Sequence, residues 1–306
     1  MHWISPSEKD TTSAALEKRL WDAADQFRAN SGLKAQEYSG PILGLIFLRF
    51  AEVRFTQQRA KLSLPSPAGG RGAGEGMDAR GRTTHGAVAG GEGAQPSRRG
   101  SRVDEPAAYH ADNVLYLAPE ARFDHLLTLP EAADIGAKVN AAMREIEKHN
   151  PQLAGVLPKT YNLFTGTLLK DLLKKVSEIP ATADFDAFGR IYEYFLGEFA
   201  RTEGQKGGEF YTPSSIVKLL TEIIEPFHGR ILDPACGSGG MFVQSAPLVA
   251  EHKHNPAAEL SIHGVAKTDE TGRLCRLNLA VHVLEGDIRH GGNVNSYYDD
   301  PHNACL

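Results

Sequence analysis

Cysteine is scarce in this 306-residue sequence, with three residues, Cys236, Cys275 and Cys305, lying 39 and 30 positions apart. The number is odd and the spacing fits neither a disulfide framework nor a metal knuckle. They read as reduced and mostly structural, and no metal site is expected. Long apolar runs are missing too: the most apolar stretch, PILGLIFLRF at Pro41 to Phe50, is ten residues long and carries Arg49, too short to span a bilayer. The opening MHWISPSEKD has no basic segment leading into an apolar one. Secretion and a membrane partner are therefore not expected, and the expected location is cytoplasmic. Excess positive charge is also absent. At a net charge of -5, contact with nucleic acid would have to come from local patches or from a partner subunit.

What is present suits a globular chain of two domains, with 41% apolar and 23% charged residues. From Thr11 to Leu64 the apolar residues recur at three and four residue steps: Leu16, Leu20, Ala23, Ala24 and Phe27, then Leu43, Ile46, Phe47 and Phe50. Two packed helices are the simplest explanation. Between Pro65 and Pro106 glycine, arginine and small residues dominate, so nothing offsets the entropy of ordering, and 65–106 is expected to be a disordered insertion. Helical patterns follow at Glu131 to Lys148, Thr167 to Val176 and Asp184 to Phe199. In the last, Phe185, Phe188, Tyr192, Phe195 and Phe199 fall on one face, an arrangement that belongs to a core. Residues 1–200 thus form an α-helical N-terminal domain.

After RTEGQKGG the pattern changes. EFYTPSSIVKLLTEII is an extended segment leading into a helix, with Pro213 at its first position and Ile216, Leu219, Leu220 and Ile223 on one face. RILDP, LSIHGV and EGDI are short strands, separated by the helical stretches MFVQSAPLVAEH and DETGRLCRLNLAVHVL. Strands alternating with helices make a parallel sheet, so 201–306 is the first half of a doubly wound α/β domain.

The first of these strands runs into RILDPACGSGGMF, where Asp233 precedes Gly237, Gly239 and Gly240. An acid ahead of the glycines differs from the dinucleotide pattern, and no lysine follows as a phosphate loop would require. Such a turn serves a nucleoside-type ligand or simply close packing of strand and helix. Twenty residues earlier, the aromatic pair in GGEFYTP could wall an adenine ring or a methionine tail, or merely start a helix with Thr212 as its cap. Cys236 beside a helix start would suit a thiolate, but no His or acid stands at a supporting spacing. The two His in EHKHN, two apart on a helix, face different ways and read as a solvated helix end.

Taken together, GGEFYTPSSIVKLL, ILDPACGSGGMFVQS and LNLAVHVLEGDI, preceded by FGRIYEYFLGEFA, resemble the methylation subunit of type I restriction-modification systems. That family is an adenine-N6 DNA methyltransferase using S-adenosyl-L-methionine. The resemblance implies a helical domain followed by a Rossmann-like methyltransferase domain. It implies cofactor contacts from Glu209, Phe210, Tyr211, Thr212 and Pro213, then from Asp233, Ala235, Gly237, Ser238, Gly239 and Gly240. Asp287 falls where the family meets the adenine ring. The partners implied are DNA, whose sequence a separate specificity subunit reads, a restriction subunit, and a second copy of the methylation subunit.

Two departures stand out. Where the family ends its second strand in G-x-E, with the Glu on the ribose hydroxyls, this chain reads HGVAKTDE, placing Ala266 there. Asp269 and Glu270 lie a turn further on, where they would cap the next helix. The family's catalytic N-P-P-F, which holds the flipped-out adenine, has no counterpart: HNPQ, HNPA and LDPA are the nearest strings, and the sequence reaches DDPHNACL without it. No catalytic residue is assigned. The expectation is a methyltransferase subunit that methylates nothing by itself, the alternative being a non-catalytic remnant that only binds the specificity subunit and DNA.

Overall fold

Two long helices account for the first periodic stretch, α1 (Glu8–Ser31) and α2 (Ala35–Ser63). The computed structural model describes residues 8–33, 35–63, 102–130, 132–181, 185–203, 211–251, 255–292 and 294. The expected insertion falls outside these residues as far as 101, but 102–106 do not fit it. Arg102–Asp104 form a short 3-10 turn and Pro106 begins α3 (Pro106–His110), where a buried Tyr109 stacks on Phe55 of α2 at 4.8 Å. The aromatic anchor after residue 106 supplies the ordering contact that the composition of the insertion lacks.

α4 (Phe123–Thr128), α5 (Ile135–His149), α6 (Gly166–Ser177) and α7 (Phe185–Glu203) complete the helical part. Side-chain caps begin two of them: Asp134 accepts the Ala137 N–H of α5 at 2.9 Å, and Thr165 that of Leu168 in α6. On α7, Phe188, Tyr192, Phe195 and Phe199 are buried as their spacing implies, and Trp21 meets Phe195 and Phe199 edge-on at 5.5 and 5.1 Å. The side chain of Phe185 lies outside the described residues.

Gly44 shows how tightly α2 is held. A Cβ there would meet Pro158 Cγ at 2.4 Å and the Tyr161 hydroxyl oxygen at 2.5 Å, while that hydroxyl donates to the Pro41 carbonyl at 2.9 Å. Gly44→Ala gains about 1 kcal/mol of helix propensity but overpacks a core at about 1–3 kcal/mol. We expect a lower thermal midpoint; a midpoint that rose would show that the contact yields at no cost.

The second part holds α8 (Ser214–Ile224), β1 (Gly229–Asp233), α9 (Gly240–Glu251), α10 (Pro256–Glu259), β2 (Leu260–Ala266), α11 (Asp269–Val281) and β3 (Gly286–His290). The strands form a parallel sheet in the order β1-β2-β3, with Gly229 opposite Leu260 and Ile262 opposite Gly286. Each crossover is a helix, as parallel pairing requires. β2 is central and largely buried; Ile262, Leu260, Phe242, Val249 and Ile288 build a core of its own. α11 joins the two parts. Its Leu277 and Val281 enter the helical core, and its Arg276 donates to the Gln152 carbonyl at 2.7 Å.

One expectation for α8 needs correction. Pro213 is the N-cap, in extended backbone, rather than the first helical residue. The face carrying Ile216, Leu219, Leu220 and Ile223 is exposed, and only Val217 and Thr221 turn inward, against α9. The periodicity was a faithful sign of an apolar face, but the three described strands offer that face nothing to bury against.

Candidate cofactor-binding site

β1 ends at Asp233, and the chain turns through residues 234–239 into α9. The Asp233 Oδ1 accepts the Ala235 N–H at 2.9 Å, closing the turn on its own side chain. Burial pushes the Asp233 carboxyl above its ordinary range, and the Ala235 N–H partly offsets this. Gly237 and Gly239 have φ of 54° and 83°, the left-handed region that a Cβ disfavours. A Cβ at Gly239 would also lie 2.9 Å from Cys275 Sγ. The Cys236 N–H donates to the Val265 carbonyl at 3.0 Å, fixing the turn against β2.

Ser238, buried at the centre of the turn, is held by a residue that the sequence did not single out. Asn278 of α11 donates its amide to the Ser238 carbonyl at 2.9 Å, and both residues are almost fully buried. A lone amide in the largely apolar run LNLAVHVL was the available signal. Asn278→Ala would leave that carbonyl without its donor, a loss of about 1–3 kcal/mol. Chemical denaturation checks this, and an unchanged midpoint would show that another donor replaces the amide.

Glu209 and Phe210 are outside the described residues. Tyr211 is half-buried against α7, where burial, with Glu193 nearby, raises its hydroxyl pKa, while Thr212 and Pro213 are exposed. Tyr211, Pro213, Glu193 and Gly197 line a cavity of about 690 Å³. Val217, one turn into α8, would touch a Cβ placed on Gly240 at 3.6 Å, so the segment after Pro213 abuts the start of α9. A second cavity, of about 290 Å³, lies on the other flank between α2 and the end of α11, lined by Phe50, Arg54 and Leu284.

The carboxyl ends of the strands collect Asp233, Ala266 and His290, with Ala266 opposite His290. Asp287 is not brought there. It is the second residue of β3, opposite His263, and its carboxylate pairs with Arg289 at 2.9 Å. Ala266 is buried among apolar side chains, so no carboxylate closes β2. Asp269 and Glu270 stand in the first turn of α11, but the side-chain cap is Thr268, which accepts the Thr271 N–H at 3.1 Å. Asp269 meets His290 Nδ1 at 2.9 Å instead. Cys236 and Cys275 are free and buried; the neighbouring Cys236 thiol and burial hold the Cys275 thiol well above its ordinary range, so Cys275 does not suit a nucleophile. Cys305 and residues 252–254 of EHKHN lie outside the described residues, among which no cluster could hold a metal ion.

A helical domain packed on a parallel sheet, whose first strand ends in an acid and a bare glycine turn, defines a partial doubly wound α/β fold. Residues 183–304 match the N-6 DNA Methylase family and residues 16–178 the HsdM N-terminal domain. The chain belongs to the family of type I restriction-modification methylase subunits, adenine-N6 DNA methyltransferases by class. It is 34% identical over 293 residues to the Type I restriction enzyme MjaIX methylase subunit of Methanocaldococcus jannaschii, covering 93% of this chain and 48% of that protein. It is 36% identical over 163 residues to the HindI methylase subunit of Haemophilus influenzae, covering 49% of this chain and 36% of that one. The same fold occurs in the type I methyltransferase subunit of Streptococcus thermophilus, with a TM-score of 0.64 at 17% identity over 94% of this chain and 60% of that chain. The chain thus spans about half the length of these curated relatives or less. No helix among the described residues is long and apolar enough to cross a membrane.

Proposed function

We propose that this chain carries the cofactor-binding half of a DNA adenine-N6 methyltransferase of a type I system, with S-adenosyl-L-methionine as methyl donor. The observation that carries the proposal is the half-buried Asp233 carboxylate, which engages one backbone N–H inside a turn stripped of side chains at Gly237 and Gly239. A cationic sulfonium and ammonium end would find there the one charge the turn offers, and the glycines would let the ligand reach the backbone. Asp233, Ala235, Gly237, Ser238, Gly239 and Gly240 would hold it, with Tyr211, Thr212 and Pro213 as the adjoining wall. The cofactor would supply the methyl group; this chain supplies no Asn or Asp with the proline-flanked carbonyl that would hold the target amine.

The chain would work in the cytoplasm with DNA, a specificity subunit, a restriction subunit and a second methylation subunit, and would transfer no methyl group alone. Incubating the 306-residue chain with unmodified DNA and radiolabelled cofactor tests this: incorporation should equal that of a protein-free control, and clear transfer would contradict the proposal. The second reading, a non-catalytic module that only binds the specificity subunit and DNA, is favoured by the buried Ala266 in the ribose position. Cofactor titration separates the two, since only the first requires any binding.

A further inference from the structure

The carboxyl end of the sheet holds a side-chain pair that the glycine turn leaves unused. His290, the last residue of β3, lies opposite Ala266 in the register of β2 and β3. Its Nδ1 stands 2.9 Å from Oδ1 of Asp269, in the first turn of α11. A carboxylate only accepts, so Nδ1 carries the ring proton, and in the neutral imidazole Nε2 keeps its lone pair. Two glycines are fitted to this pair. A Cβ on Gly272 would lie 2.4 Å from His290 Cβ and Cγ, and one on Gly291, whose φ is 102°, would lie 2.7 Å from Asp269 Oδ1. As a mere staple between α11 and β3 the pair would contribute little, because the Asp269 side chain is 66% exposed and water screens the contact. The imidazole is itself 24% exposed, open to a ligand that rests on the carboxyl ends of the strands.

We infer that His290 is a ribose contact of this chain: its Nε2 accepts from a hydroxyl of a nucleoside bound over the carboxyl ends of the strands, and Asp269 is the positioning residue that fixes the tautomer and the ring. The register carries the assignment. In nucleotide-binding sheets of this kind the ribose hydroxyls meet an acceptor at the end of the second strand, and Ala266 offers none. His290 is the partner of Ala266 on the adjoining strand and brings an acceptor to the same level. A phosphate fits less well, since beside the imidazole it would also meet the Asp269 carboxylate, whereas a hydroxyl needs only the lone pair. The inference rests on the methyltransferase reading, which supplies the nucleoside.

The test is calorimetry of the 306-residue chain with S-adenosylhomocysteine and with its analogue lacking both ribose hydroxyls, each up to millimolar concentration. The wild type should bind the ribose form about fivefold more tightly or better. His290→Leu, which keeps bulk without an acceptor, should bring the two affinities together. His290→Gln, whose amide oxygen can stand in for Nε2, should retain part of the preference, and Asp269→Ala, which lets the ring turn, should lower it. A purely structural role would weaken both compounds alike and leave their ratio unmoved, so the ratio within each variant separates the two roles even where a variant melts lower. Equal affinities in the wild type, or a preference that His290→Leu preserves in full, would overturn the inference and leave the cofactor reading standing. Binding of neither compound would overturn both.

Discussion

Ala266→Glu is expected to strengthen binding of S-adenosylmethionine by about tenfold or more. Ala266 closes β2 in register with His290, while Asp233 closes β1 opposite Gly264, two residues short of Ala266 along β2. A carboxylate at that end of β2 could accept from a ribose hydroxyl of a bound cofactor. Charge-assisted bonds of that kind contribute about 1.5–3 kcal/mol, hence the tenfold figure. The substitution has a cost, because Ala266 is buried beside Cys236 and Cys275. Without ligand the new carboxylate has no partner among them, so the free variant should melt below the wild type and recover when cofactor is added. Calorimetry and thermal shift read the two effects separately. An unchanged affinity in a folded variant would show that strand geometry, rather than the missing carboxylate, limits the site.

In the Ala266→Glu background, Asp233→Asn should reverse most of that gain, again by about tenfold or more, because it removes the negative charge that the turn presents to a cation. The isostere keeps an oxygen to accept the Ala235 N–H, so the turn itself should survive. The effect carries a pH signature. Burial raises the folded pKa of Asp233 above 3.8. Affinity for a cationic ligand should therefore rise with pH through that elevated value, and the Asn variant should lack the rise. Stability runs the other way. A carboxyl whose folded pKa is raised favours the folded state while protonated, so its contribution is full below its unfolded pKa and fades as pH climbs through the folded one. Equal affinities for the two chains across that range would remove Asp233 from the site.

How much of this was legible in the sequence depended on range. Local pattern sufficed for the helices of the N-terminal part, because each buries a face whose period is set by its own residues, as Phe188, Tyr192, Phe195 and Phe199 do. It sufficed for the turn as well, since Asp233, Gly237 and Gly239 act on backbone within a few positions of themselves. What escaped was long-range. The bond from Asn278 to Ser238 spans 40 positions and follows from no motif. The pairing of Asp269 with His290 needed the register of β2 and β3, which also sets Asp287 opposite His263. The exposure of Ile216 and Leu219 was hidden for the opposite reason: periodicity marks an apolar face but says nothing of what covers it.

The most direct test is amide hydrogen exchange of the wild-type chain with and without S-adenosylmethionine at millimolar concentration, where even a weak site fills. Slowed exchange should be centred on the amides of residues 235–243, the glycine turn and the first turn of α9, with the segment after Tyr211 following. Protection centred instead on the cavity beside Arg54 and Leu284, or no change at the turn, would contradict the assignment of Asp233 and its glycines as the cofactor cradle.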